Sequence, residues 1–239
     1  MRMLLMIALL PLAACQSNWE KQGEAAQASG TGSTRSFAAS GFTGVELRGS
    51  DDVDVTTGKS FAVTAEGDSK VLDLLDIRVI DGTLRVGRKD SKDGWFGKDR
   101  GARVHVVMPR LTAAAVGGSG NMTVDRAEGD FDGAVSGSGN LRVAELRGNA
   151  TELSVAGSGD LDIAGSASKL SASVAGSGNI NARKLTASSA DVSIAGSGNV
   201  LGTVKGPASV SIVGSGDADL GGGANCTVNK VGSGEAHCG

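Results

Sequence analysis

The sequence predicts an all-β fold: a β-solenoid with 18–20 residues per coil, preceded by a strand-rich half in which the repeat has degenerated. Two observations carry this. Gly-Ser-Gly-(Asn/Asp/Glu) recurs seven times, beginning at Gly118, Gly137, Gly157, Gly176, Gly196, Gly214 and Gly232, at spacings of 19, 20, 19, 20, 18 and 18 residues. A fixed period of this length marks a chain that coils, each turn stacking on the one before. The composition agrees: 38 Gly, no Tyr, five Phe and two Trp leave Val, Ile, Leu and Ala to fill the interior. That suits a narrow lumen of aliphatic rows, not a globule centred on aromatics. A formal charge of −3 argues against nucleic-acid binding, which needs a basic footprint.

The first segment, residues 1–14, reads as a signal peptide. A basic start at Arg2 precedes an apolar run from Leu4 to Leu12, too short to span a bilayer. The run ends in Leu12-Ala13-Ala14-Cys15, which resembles the bacterial lipobox. On that reading Cys15 is lipidated and the protein reaches a membrane through its acyl chains; the alternative is an ordinary signal with Cys15 incidental. Gln16, in place of Asp, favours an outer-membrane destination in a Gram-negative host. Residues 15–36 are then the anchor and a flexible polar tether. With Cys15 set aside, Cys226 and Cys238 form an even pair in an oxidising compartment and are expected to make a disulfide across the last coil.

Residues 37–116 form the first, β-rich part. Val45/Leu47, Val53/Val55, Phe61/Val63, Ile77/Val79, Leu84/Val86 and Val104/Val106 alternate as strands do. Asp81-Gly82 signals a hairpin, and Asp68 caps the one helical candidate, Ser69 to Leu75. The stretch Val45–Val53 reads like Leu153–Leu161, so this half is a relative of the repeat. Between two strands lies a charged excursion, Arg88 to Arg103, with Trp95-Phe96 at its middle. It is either a recognition element or a polar hairpin tip.

Residues 117–239 are the solenoid proper. Val116, Val135, Val155, Val174, Ile194 and Ile212 should stack as one inward column, broken by Lys230 where the end meets solvent. Met122, Leu141, Leu161, Ile180, Val200, Ala218 and Ala236 should form another. Ser154, Ser173, Ser193 and Ser211 point outward. Asn121, Asn140, Asp160, Asn179, Asn199, Asp217 and Glu235 line a corner, where stacked amides can bond from coil to coil. No coil buries enough to fold alone; the stack must fold together.

Catalytic chemistry does not emerge. Asp160 lies three coils from Asp217 and four from Glu235, too far to share an ion with them. Asp160 with Asp162 offers a weak calcium site at most. The calcium-binding nonapeptide repeat is broken, because Met122 and its equivalents stand where the Asp ligand belongs. Seven Gly-Ser-Gly copies argue against a nucleophile, which is singular and needs a base. His105 and His237 read as surface residues. No metal or cofactor is expected.

Phe42-x-x-Val45, Gly49-Ser-x-Asp52-Val53-x-Val55, Asp81-Gly82-x-Leu84-x-Val86 and Val106-x-Met108-Pro109-x-Leu111, leading into Gly-Ser-Gly-Asn, resemble the auto-transporter adhesin, head GIN domain family over about residues 37–239. The resemblance implies a right-handed parallel β-helix on exported, often lipid-anchored bacterial proteins. The expected function is non-enzymatic: a membrane-anchored module binding a glycan, a cell-wall polymer or a surface protein. Candidate contacts are Asn121, Asn140, Asp160, Asn179, Asn199 and Asp217, with Trp95 and Phe96. The alternatives are an envelope component binding a protein partner through the 88–103 loop and, third, an enzyme acting on polysaccharide.

Overall fold

The computed structural model of the chain describes residues 23–89 and 101–239. It forms a β-solenoid of about seven turns. The first half comprises β1 (Ala28–Ser29), β2 (Thr34–Phe37), β3 (Gly44–Gly49), β4 (Asp52–Thr57), β5 (Ala62–Glu66), α1 (Ser69–Leu74), β6 (Leu75–Ile80), β7 (Thr83–Arg88), β8 (Arg103–Met108) and β9 (Ala113–Gly118). The repeats are β10 (Asn121–Gly137), β11 (Asn140–Gly157), β12 (Asp160–Gly176) and β13 (Asn179–Gly196). The chain ends in the shorter β14 (Val200–Val204), β15 (Pro207–Gly214), β16 (Ala218–Asp219), β17 (Asn225–Gly232) and β18 (Ala236–His237).

Successive coils pair in parallel, register by register. Val116 opposes Val135, which opposes Val155, then Val174, Ile194 and Ile212. Met122, Leu141, Leu161, Ile180, Val200 and Ala218 form the second buried row. The alternation of inward and outward residues breaks at Asp125–Arg126 and again at Glu128–Asp130. Each coil therefore has three sides: one following the Gly-Ser-Gly corner, a short middle one, and one leading back to that corner.

The corner explains its own sequence. The amides of Ser138 and Gly139 both donate to Gly118 O, each at 2.9 Å, so two N–H groups converge on one carbonyl of the coil before. A Cβ on Gly139 would lie 2.1 Å from Gly120 O, and the same clash recurs up the stack. Only glycine lets the coils close to sheet spacing there.

In the first half the coils are not stacked in chain order. β3 pairs with β7 and β9, and β4 pairs with β8 and β10, all in parallel. The coil β3–β4 thus lies between β7–β8 and β9–β10. Antiparallel β6 and β5 cover the outer edges of β7 and β8, which protects the sheet end from edge-to-edge pairing. β6 and β7 are joined by Asp81-Gly82, both at positive φ (49° and 73°), the two-residue hairpin turn whose twist matches the strands. Asp68 caps α1 by accepting from the Lys70 amide at 2.9 Å, and Val71 and Leu72 face the core.

The Arg88–Arg103 excursion occupies a definable place. Leu47 opposes Val86 and Asp52 opposes Arg103, so the described ends of the excursion stand on either side of the position that a Gly-Ser-Gly corner takes in later coils. Its stems are clamped. Asp51, fully buried, accepts from Arg88 Nε at 2.9 Å, from Arg88 Nη2 at 2.5 Å and from the Ala102 amide at 2.7 Å. Asp51 stands where later corners have glycine. A side chain fits because Arg88 and the Ala102 amide face it as donors.

Part of the stretch that the sequence assigns to the tether, from Ala25 to Ser36, belongs to the fold. Ala25 bridges to Arg78, β1 pairs with β2, and β2 adds to β5, burying Phe37. The strand was hidden in sequence because only its last residue is apolar and buried.

At the far end Lys230 is exposed at the lumen position and donates to Gly234 O at 3.2 Å. A disulfide joins Cys226 to Cys238, with Cα atoms 6.0 Å apart.

Candidate binding surface

The corner polar residues are organised as one ladder. Asn140 Nδ2 donates to Asn121 Oδ1 at 2.8 Å, and the Asp160 amide donates to Asn140 Oδ1 at 3.2 Å. Asn179 reaches Asp160 Oδ1 through both its amide (3.0 Å) and Nδ2 (2.8 Å). Asn199 repeats this on Asn179 Oδ1 at 3.1 and 3.0 Å. Asp217 N then donates to Asn199 Oδ1 at 2.9 Å, and Glu235 N to Asp217 Oδ1 at 2.8 Å. Sequence reasoning stopped one rung short: Asn121 Nδ2 donates to Asp52 Oδ1 at 3.0 Å. The Val45–Val53 likeness to the repeat was the signal that could have placed Asp52 there. These side chains satisfy backbone amides of the next coil, so they hold the stack together while exposing one edge.

Beside the ladder a second outward column runs His105, Asp54, Thr123, Arg142, Asp162, Asn181, Leu201, Asp219 and His237. Asn181 Nδ2 donates to Asp162 Oδ1 at 2.8 Å. Arg103 bridges Asp52 (3.1 Å) and Asp54 (3.0 Å); its hydrogen bond to Asp54, then the charge of that carboxylate, raises the guanidinium pKa above its ordinary value. His105 Nδ1 lies 3.4 Å from Asp54 Oδ2 and His237 Nε2 lies 3.4 Å from Glu235 Oε2. Among the described residues no group of three or more His, Cys, Asp or Glu is placed to hold a metal ion.

The apex of the corner is a ridge of serines: Ser50, Ser119, Ser138, Ser158, Ser177, Ser197, Ser215 and Ser233, all exposed. Ser233 Oγ bonds Ser215 Oγ at 3.1 Å, whereas the hydroxyls of Ser119 to Ser197 engage no other side chain among the described residues. Past the ridge, on the returning side, Ala134, Ser154, Ser173, Ser193 and Ser211 stand in register, a flat strip of small side chains. Cys15, Trp95 and Phe96 lie outside the described residues.

The family model described as "Putative auto-transporter adhesin, head GIN domain" matches residues 41–224. The chain belongs to that family. Solved structures share the head GIN fold. One described as a putative adhesin from Bacteroides fragilis superposes with a TM-score of 0.78 at 20% identity, covering 86% of this chain and 95% of its own. One described as a putative lipid binding protein from Parabacteroides distasonis gives 0.69 at 23% identity, covering 89% and 98%. A putative adhesin from Parabacteroides merdae gives 0.68 at 21%, covering 87% and 95%. No curated protein matches the chain.

Proposed function

We propose that this protein is an exported adhesin-like binding module of the cell envelope, held at the membrane by acyl chains on Cys15, whose solenoid ridge receives a repetitive polymer such as a glycan or cell-wall polymer. The observation that carries this reading is the serine ridge. Its hydroxyls repeat at the coil spacing of about 4.8 Å, uncommitted to other side chains, beside a ladder that fixes the backbone beneath them. A periodic surface suits a periodic ligand, since each added coil repeats the same contact and linked weak contacts gain avidity. Catalysis would instead call for one singular constellation.

The ladder changes how the reading is tested. Replacing Asn140, Asn179 and Asn199 would loosen the stack as well as remove contacts. Ser158→Ala, Ser177→Ala and Ser197→Ala together leave every ladder bond in place. Binding of the triple variant to isolated peptidoglycan and to envelope polysaccharide should fall, with an unchanged circular dichroism spectrum. Undiminished binding to both would refute the ridge as the contact surface.

A second reading, a protein partner bound through the 88–103 loop, is favoured by one observation: the buried Asp51 holds its ends at Arg88 and Ala102. Deleting residues 90–100 should then abolish capture of that partner and leave the melting temperature near that of the intact chain.

A further inference from the structure

The short middle side of β10, at Arg126–Gly129, carries a feature absent from the later coils. β4 leaves the stack at Thr57 to reach β5, so the coil that should cover Arg126–Gly129 is missing there. The link between β8 and β9, residues 109–112, lies across the gap instead. The result is a cleft of about 360 Å³, lined by Thr57, Pro109, Arg110, Leu111, Arg126 and Gly129, with Ala127 and Glu128 between the last two. Its volume falls in the range of small-ligand sites, enough for one sugar residue.

Two guanidinium groups face this cleft. Arg110 lies over Gly129, where an added Cβ would come within 2.9 Å of Arg110 Nη2. No carboxylate pairs with Arg110 among the described residues. Arg126 is only loosely paired: its Nε is 3.8 Å from Glu145 Oε2, while Glu145 is held at 2.8 Å by Arg147. Asp125 does not compete for them at close range, because its Oδ1 accepts from the Thr57 amide (3.0 Å), from Thr57 Oγ1 (3.2 Å) and from the Arg126 amide (2.5 Å). Those bonds also fix the wall. The one carboxylate lining the cleft, Glu128, stands in register with Arg147 on the next coil.

We propose that this cleft binds an acidic sugar of a polysaccharide, with Arg110 and Arg126 gripping its carboxylate or sulfate. Guanidinium forks match such oxyanions in geometry and charge. The inference rests on the polymer-binding reading for the class of ligand but not for its site. A polysaccharide is favoured over a lipid surface because the cleft is recessed between the 109–112 link and β10, where a single sugar residue can enter and a flat layer of headgroups cannot.

The test uses the full chain and three polymers as probes: polygalacturonate, dextran sulfate and neutral dextran, measured by calorimetry at two salt concentrations. Polygalacturonate or dextran sulfate should bind, more weakly at high salt, and which of the two binds identifies the oxyanion. Arg110→Gln with Arg126→Gln should weaken that binding on the order of 10-fold for each guanidinium removed, at unchanged melting temperature. Arg110→Lys with Arg126→Lys should recover part of it. The serine-ridge triple variant should keep the salt-dependent component, which separates failure of this site from failure of the ridge. Equal binding by the double Gln variant, no binding of either acidic polymer, or Arg-dependent binding to phosphatidylglycerol vesicles in their place would overturn the proposal.

Discussion

Asn179→Ala is the substitution that most directly probes how the coils are held together. Asn179 is half-buried, with Asp160 on one side and Asn199 on the other. Alanine removes the Nδ2 donation to Asp160 (2.8 Å) and the acceptor used by both the Asn199 amide (3.1 Å) and Asn199 Nδ2 (3.0 Å). The Asn179 amide keeps its own bond to Asp160. Three hydrogen bonds are lost and one backbone N–H loses its partner. At about 0.5–1.5 kcal/mol net for each bond, reduced where water can enter, the cost is about 2–3 kcal/mol. For a chain of this size that is a fall in melting temperature of roughly 5–10 °C. The assay is urea unfolding followed by circular dichroism, with hydrogen exchange read at Asn199 and Val200. Ser177→Ala, at the same corner, should stay within about 0.5 kcal/mol of the parent. If Asn179→Ala also stays within that margin, and exchange at Asn199 is unchanged, the ladder is a by-product of stacking and not a cause of it.

Other outcomes follow from the same geometry. Gly178→Ala would place a Cβ 2.1 Å from Gly159 O and should prevent the stack from closing, whereas Gly117→Ala, 3.6 Å from Leu47 O, should be tolerated; soluble yield and melting temperature separate the two. Thr151 is buried in line with Phe131 and Leu170, and its hydroxyl has no hydrogen-bond partner among the described residues. Thr151→Val should therefore stabilise the protein by about 1 kcal/mol in denaturant unfolding. Asp51→Ala strips the acceptor from the Ala102 amide and the buried pair from Arg88, and should cost about 3 kcal/mol or more. Replacing Cys226 and Cys238 with Ser opens a loop of separation 12. It should release about 3 kcal/mol of loop constraint, seen as faster hydrogen exchange confined to β17 and β18.

The repeats were legible because every coil states the same rule: an aliphatic residue two before Gly-Ser-Gly, another just after the polar corner. Those positions form the two buried rows. The first half was legible strand by strand but not in its stacking. Pairing β3 with β7 and β9 is a choice between non-local partners, and Val45/Leu47 would serve equally beside any aliphatic strand. Asp51 was equally opaque, since a carboxylate in a glycine's place reads as solvent-exposed until its donors, Arg88 and the Ala102 amide, are known. At the surface, the sequence marks the Asn column as polar and aligned. It points to amides bonding from coil to coil, but not to the backbone N–H groups of the next coil that the same side-chain oxygens satisfy. The Arg110–Arg126 cleft left no signal, because it arises from where β4 departs and not from any local pattern.

The inverted order of the first coils also governs the sequence of assembly. A strand made at residues 44–57 waits for both neighbours: β7 and β8, ending at Met108, and then β9 and the start of β10, reaching Val124. Roughly the first half of the chain must be present before all of its parallel registers are complete. From that point each new stretch of some 19 residues finds a finished template and needs only its nearest neighbour. For a chain emerging from its N-terminus, folding is thus one slow, non-local closure followed by rapid local additions. The Asp51 clamp belongs to the slow step, and the asparagine ladder to the fast ones.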